Sequence, residues 1–244
     1  MRAIRKTPIV VNDSRGFYTS RVVGTYIREG HLMLTEGMPA ALIENVGRIA
    51  GMPVGPLSLN DEVAVDLAWK ILKATEVDLG PKAIDSRQKK LLEEMVEKRG
   101  RFGRKNGKGF YDYPANGPKK LWPGIVELQP KKLLDPEKID IDEVKFRLLG
   151  IQALETSRCF EEKVLTDVRE ADVGSILGFG FAPFSGGTLS WIDMMGTKRF
   201  VERCRELEKK YGERFAPNKL LVDLAAKDET FYQRFAPARK KEAA

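Results

Sequence analysis

Apolar positions recur at three- and four-residue spacings along most of this chain, the pattern of helices that each bury one face. Val23, Tyr26, Ile27 and Leu34 form the first stripe, and Gly30 lies on it, small enough to let a neighbouring helix approach. Gly37 stops this helix, and Pro39 opens the next in a favoured first-turn position. That helix, AALIENVGRIA, runs to Gly51. After the turn MPVGP the spacing continues through LSLNDEVAVDLAWKILKAT, where Asp61 and Asp66 read as caps or first-turn acids. DSRQKKLLEEMVEKRG then sets Leu91, Leu92, Met95 and Val96 on one stripe.

Residues 114–140 interrupt the pattern with five prolines and read as a connector between two bodies. Beyond it, EVKFRLLGIQALETSRCFEEKVL is a long amphipathic helix and DVREADVGSIL a short one. GFGFAPFSGG is turn-rich, WIDMMGTKRFVERCRELEKKYG follows, and Pro217 opens a last helix. The halves look like copies: Gly51 and Pro56 are spaced like Gly178 and Pro183, with Asp61 or Asp193 soon after. The predicted fold is all-α, two tandem helical units that bury their stripes by packing helix on helix.

Composition narrows the chemistry. A chain of 244 residues with 42% hydrophobic content is long enough for one large core or two modest ones. No apolar run approaches membrane-span length, and MRAIRKTPIVV has no signal core, so a cytoplasmic protein is expected. Cys159 and Cys204 lack metal-ligand spacing and read as reduced core thiols. The net charge of +7 suits an anionic partner, but the cations alternate with acids along helices, which argues against nucleic acid. The single histidine, His31, falls inside the first helix and reads as a surface or boundary residue, not a catalyst. No triad, paired acids or metal set stands out, so no catalytic, cofactor-binding or metal-binding residue is assigned.

RFGRKNGKGFYDYP, from Arg101 to Pro114, packs glycines and cations together as phosphate loops do. A Walker loop, however, needs four residues between its first Gly and the Gly-Lys pair, then Ser or Thr. Here there are three, and Gly109 stands in the hydroxyl's place. The segment reads as a helix end, a cationic turn and an extended Phe110-Tyr111-Tyr113 run packed on the body. Gly178-x-Gly180 likewise lacks the third glycine of a dinucleotide fingerprint, since that place is Pro183.

Four segments taken together carry a family resemblance: TPIVVNDSRGFYTSR, GMPVGPLSLNDEVAVD, FGRKNGKGFYDY and EADVGSILGFGFAPFSGGTLSWIDMMG. In this order they resemble the C-terminal helical region of 3-hydroxyacyl-CoA dehydrogenases, in the two-copy form of the multifunctional fatty-acid oxidation proteins. The resemblance implies a remnant strand of an NAD-binding domain over residues 1–12 and a first helical domain over 13–113. A linker over 114–140 and a second helical domain over 141–244 follow. It implies an NAD-dependent oxidation of 3-hydroxyacyl-CoA to 3-ketoacyl-CoA in β-oxidation. The Rossmann domain that binds NAD, with its catalytic His-Glu pair, would be supplied in cis or in trans. The chain then looks like a piece of a larger enzyme or one product of a split gene, with an acyl-CoA substrate and a possible homodimer.

Ser20 stands where the family's F-x-x-N-R pattern places an amide beside the thioester, and a hydroxyl there still donates one hydrogen bond. Leu177 stands where an aromatic commonly precedes the second copy's G-x-G-F turn; read by residue type alone it is a core leucine. Arg104, Lys105 and Lys108 are cations able to attract the CoA phosphates. The alternative is a helical dimerisation or scaffold module of a fatty-acid oxidation complex, without activity.

Overall fold

The structure, a computed structural model, describes residue 4 and residues 6–236. It is all-α as expected: among the described residues the only strands are β1 (Tyr111–Asp112) and β2 (Lys120–Leu121), an antiparallel pair. The chain divides into two compact units. The first is residues 26–148; the second joins residues up to 25 with those from 149 onward. These bounds differ from the expected 13–113, 114–140 and 141–244, and they fall inside two helices, α1 (Thr19–Thr35) and α6 (Ile141–Glu161).

The proline-rich stretch is held to the first unit by its own backbone. Trp122 N donates to Phe110 O and Leu134 N to Gly37 O, and the side chain of Gln129 adds a bond from its Nε2 to Met38 O. Ile125 is buried. Proline removes donors, yet the intervening residues keep theirs and use them. At the other end, TPIVV forms no strand: Val10 N donates to the Glu170 carboxylate and Asn12 N to Val164 O, both in the second unit. Residues 1–3 and 5 of the expected remnant strand lie outside the described residues.

In the first unit, α2 (Ala40–Ile49), α3 (Pro56–Val63), α4 (Val65–Leu79) and α5 (Ser86–Glu93) follow the later part of α1. The stripe on α1 packs as predicted: Tyr26, Ile27 and Leu34 are buried, and a Cβ on Gly30 would overlap the Pro56 ring. Pro39 stands one residue outside α2, as its N-cap. Asp85 caps α5 by accepting from Arg87 N, and a π turn at Glu94–Lys98 extends the helix so that Met95 joins Leu91 and Leu92 in the core.

The second unit contains α7 (Val168–Phe179), α8 (Thr188–Met195), α9 (Thr197–Tyr211), α10 (Lys219–Ala226) and α11 (Phe231–Phe235). Edge-on aromatic contacts link Phe181 to Trp191 and Trp191 to Phe200 in its core. Cys159 and Cys204 are free and buried, and burial pushes both thiols up to about 12, so neither is a nucleophile at neutral pH. Pro217 precedes α10 with Asn218 between them at the N-cap, but α10 is not the last helix as expected, because Thr230 caps a further one, α11.

The duplication is real, but its register is not the one that the Gly-Pro spacings suggest. The counterpart of α3 is α8, eight residues each, and that of α4 is α9, fifteen residues each. Pro56 therefore matches Thr188, whereas Pro183 opens a short 3-10 turn inside an insertion. The pairing of Asp61 with Asp193 holds. The helical spacing of LSLNDEVAVDLAWKILKAT breaks at a residue of positive φ, Ala64 at 82°, and the second copy breaks at the matching Gly196 at 89°, with nearly equal ψ of 123° and 127°. Asp61 is consequently not a cap of one long helix; it ends up in the last turn of α3.

An alanine at φ 82° carries strain of about 1–3 kcal/mol that glycine does not. Ala64→Gly should stabilise the protein by about 1 kcal/mol, and Gly196→Ala should destabilise it by at least as much. Urea unfolding of the two variants beside the parent measures both signs.

Candidate functional site

The resemblance points to the start of α1, and the sequence NDSRGFYTSR builds an exposed ledge there. Asp13 to Gly16 turn back on themselves, with Gly16 at φ 77° and Phe17 at φ 48°, and Phe17 N donates to Ser14 O. Tyr18 is the anchor. Its ring is buried, meets Phe179 edge-on at 5.8 Å, and its hydroxyl donates to Ala171 O at 2.8 Å. Gly174 and Gly178 give α7 a flat face for this contact, since a Cβ on Gly174 would overlap Ile9 and crowd Tyr18, and one on Gly178 would crowd Thr19. Arg21 clamps the turn from the other side, paired with Glu155 at 2.5 Å and Glu162 at 2.6 Å.

Ser20 sits between these two anchors, exposed, and its hydroxyl has no hydrogen bond to another described residue. Beside the Thr19–Gly178 contact, Leu177 is 67% exposed, and Phe17 is 55% exposed at the head of the turn. The structure thus corrects the reading of Leu177 as a core leucine: Gly174 and Gly178 make the α7 contact, and Leu177 is left facing outward. Ser20 and Leu177 both lie on the second unit, each next to the Thr19–Gly178 contact, while Lys105 and Lys108 belong to the first.

In the first unit the loop from Arg101 to Tyr113 holds an anion of its own chain. Phe110 N and Tyr111 N each donate to the Asp61 carboxylate at 2.8 Å, and the Tyr113 hydroxyl adds a third bond at 3.1 Å. A side chain on Gly109 would fall on that carboxylate, and one on Gly103 would strike the Asp61 carbonyl. The glycines serve backbone closeness, not phosphate binding. Of the loop cations, Arg104 pairs with Glu62 at 2.9 Å and Lys105 with Asp66. Lys108 is exposed and makes no ion pair among the described residues.

The tyrosine that follows Phe110 ties a second acid. Tyr111 Oη donates to Glu44 at 2.7 Å, and Glu44 accepts from Leu57 N and Ser58 N in the first turn of α3. The second unit repeats the arrangement. Asp193 accepts from Phe231 N and Tyr232 N, while Asp172 accepts from Leu189 N, Ser190 N and the Tyr232 hydroxyl. Burial pushes all four acids up, Asp61 to about 6, against the hydrogen bonds that pull them down. Sequence reading missed Glu44, Asp172 and both tyrosines. Repeated Phe-Tyr pairs at Phe110 and Phe231 were the available signal.

His31 is fully buried, not at a surface or boundary. Nε2 lies 2.9 Å from Asn60 Oδ1, Nδ1 lies 3.2 Å from the Gln88 amide, and the ring stacks on Phe110. Burial lowers it to about 4. A histidine locked neutral between two amides is a packing element. Among the described residues no group of three His, Cys, Asp or Glu side chains can hold a metal ion, and no helix is long and apolar enough to cross a membrane.

Residues 16–113 match the family model for the 3-hydroxyacyl-CoA dehydrogenase C-terminal domain. The chain is 38% identical over 237 residues to a fatty acid oxidation complex subunit alpha of Shewanella loihica, covering 93% of this chain and 32% of the relative. A Vibrio cholerae protein of the same description is 37% identical over 227 residues, with 93% and 31% covered. The chain thus spans about a third of the length of the curated relatives it matches. In fold it is similar to a 3-hydroxybutyryl-CoA dehydrogenase of Escherichia coli, with a TM-score of 0.70 at 20% identity, covering 91% of this chain and 62% of the other. It is also similar to the dehydrogenase part of multifunctional enzyme 1 of C. elegans, with a TM-score of 0.64 at 19% identity and 91% and 50% covered.

Two measurements check the polar framework. Tyr111→Phe and Tyr232→Phe should each cost about 1.5–3 kcal/mol in urea unfolding, because each leaves a buried carboxylate short of a donor. For His31, the unfolded chain takes a proton near pH 6.5 and the folded one only near 4, so its stabilising contribution is complete above pH 6.5 and is lost as pH falls towards 4. Asp61 has the opposite sign over an overlapping range, since its raised value favours the fold below pH 3.8 and loses that as pH rises through 6. The difference between parent and His31→Gln isolates the first term. It should shrink by on the order of 3 kcal/mol from pH 7 to pH 4.

Proposed function

We propose, from the premise that residues 16–113 belong to the 3-hydroxyacyl-CoA dehydrogenase C-terminal domain family, that this chain is the substrate-covering part of such an enzyme in fatty-acid oxidation. The reaction is the oxidation of a 3-hydroxyacyl-CoA to the 3-ketoacyl-CoA. The hydride leaves C3 for NAD held by a Rossmann domain, supplied in cis or in trans, and the hydroxyl proton goes to a base of that domain. The observation that carries this reading is the ledge at Ser20: a hydroxyl without a partner among the described residues, on a turn fixed by Tyr18 and Arg21, with exposed apolar Phe17 and Leu177 around it. A serine so placed donates one hydrogen bond to the thioester carbonyl, and the apolar side chains cover the acyl part and exclude water. Such clefts commonly lie at domain interfaces. The loop lysines Lys105 and Lys108 attract the CoA phosphates by charge in this reading. Lys105 is already paired with Asp66, so Lys108 is the stronger candidate. The reading places the protein in the cytoplasm.

A different observation favours the assembly-module alternative. Val63, Leu67, Ile71, Val77 and Leu79 are exposed on or beside α4, and three of the five matching places in the second copy carry charges, Arg199, Arg203 and Lys209. An apolar face that the fold does without in one copy fits contact with another protein surface.

The purified chain mixed with NAD and 3-hydroxybutyryl-CoA should show no turnover, and addition of a Rossmann-domain dehydrogenase protein should produce it. In that mixture Ser20→Ala should lower kcat/KM by about tenfold, the loss of one directed hydrogen bond. Turnover by the chain alone, or a Ser20→Ala variant as active as the parent, would sink the reading. If no active mixture forms while Leu67→Glu abolishes association with other proteins of fatty-acid oxidation, the assembly module takes its place.

A further inference from the structure

The first unit carries a second concave surface. A cleft of about 500 Å3 opens between the 3-10 turn Arg104–Asn106 and the bend from Tyr113 to Lys119, lined by Glu62, Arg104, Gly107, Tyr113, Pro114, Gly117 and Lys119. Its volume falls within the range of small-ligand sites. Three features of the lining select a ligand.

One part of the lining is a fixed ring. Tyr113 lines the cleft beside Pro114 and does not swing away, because its hydroxyl is bonded to the buried Asp61 carboxylate. The rim is open. Gly107 and Gly117 are both at positive φ, 76° and 116°, and nothing lies within 4 Å of a Cβ built on Gly117. The walls are cationic. Arg104 and Lys119 both line the cleft, the Lys119 ammonium 4.8 Å from the Tyr111 ring centre and 5.9 Å from that of Tyr113.

Neither cation is bound so firmly that a ligand could not take it over. The Arg104–Glu62 pair is solvated, with the arginine side chain 66% exposed, and pairs of that kind contribute little. Lys119 bonds the neutral Ser58 hydroxyl, and its charge also acts on Glu44, which is already satisfied by Tyr111 and two backbone amides. Glu62 is the one acid in the lining, against two cations. The surrounding sequence adds Lys105, Lys108 and Lys120.

We propose that this cleft binds a phosphorylated planar ring, a nucleotide bearing one or two phosphates, with the ring on Tyr113 and the phosphate between Arg104 and Lys119. Phosphate draws on the fork of arginine and the point charge of lysine, and aromatic stacking draws on a fixed ring. This is not a Walker site, because side chains and not loop amides meet the phosphate. The inference shares the loop cations with the dehydrogenase reading but needs neither Ser20 nor a redox domain, so either can fail without the other.

Calorimetric titration of the whole chain, in physiological salt, tests it. The probes are adenosine 3′,5′-bisphosphate, AMP, adenosine and inorganic pyrophosphate. The nucleotides should bind saturably and more tightly than either adenosine or pyrophosphate, because each comparator lacks one of the two features. Arg104→Ala and Lys119→Ala should each weaken nucleotide binding about tenfold, with far-ultraviolet circular dichroism unchanged, and Lys82→Ala, at an exposed lysine outside the lining, should leave it intact. Absence of saturable binding would overturn the site. So would pyrophosphate binding as tightly as nucleotide, or Lys82→Ala weakening binding as much as Lys119→Ala, for then only general positive charge is at work.

Discussion

Both units depend on one device, a buried carboxylate that closes onto backbone amides. In each copy an acid on the second helix, Glu44 or Asp172, takes the two amides that begin the next helix, α3 or α8. A second acid on that next helix, Asp61 or Asp193, takes the amides of a Phe-Tyr pair far along the chain. The tyrosine then reaches back to the first acid. Orphan amides at a helix start need acceptors, and a buried acid needs donors; each solves the other's problem. The cost is dehydration of two acids per copy, visible in their raised values. Gly55 and Gly187 follow from the same requirement, because any side chain there would overlap the acid.

This framework explains how a chain with so little regular hydrogen bonding between helices fixes its loops. The Arg101–Tyr113 segment has the look of a nucleotide loop because both tasks require glycines that let backbone amides approach an anion. Here the anion is Asp61. Arg101 is buried and braces the loop from inside, donating to Gly109 O, whereas Arg104 and Lys105 face solvent and the neighbouring acids Glu62 and Asp66. Serving as the cage of one anion leaves the outer face of the same segment available to another.

Much of the fold was legible. The helical stripes, the stop at Gly37, the buried Leu91 face and the duplication all follow from spacing and from glycine and proline positions. The helix break at Ala64 was not, because alanine is a strong helix former and gives no sign of positive φ; only its partner Gly196 does. His31 was misplaced because its burial depends on Asn60 and Gln88, distant in sequence and brought close by packing. The connector was misjudged for a similar reason: proline content says where a helix is impossible, not whether a segment is pinned. At the candidate site, Ser20 came from a motif, whereas the outward turn of Leu177 came from two glycines whose partners, Tyr18 and Thr19, no local pattern identifies.

The division into units has a consequence for biosynthesis. Residues 26–148 are contiguous, so this part has all its own contacts once its last residue clears the ribosome. The opening 25 residues have no such independence, because Tyr18 must find Ala171, and Asn12 must find Val164, in segments translated more than a hundred residues later. The ledge that bears Ser20 therefore acquires its shape only once α7 has been made, and until then the Tyr18 ring has no pocket to fill.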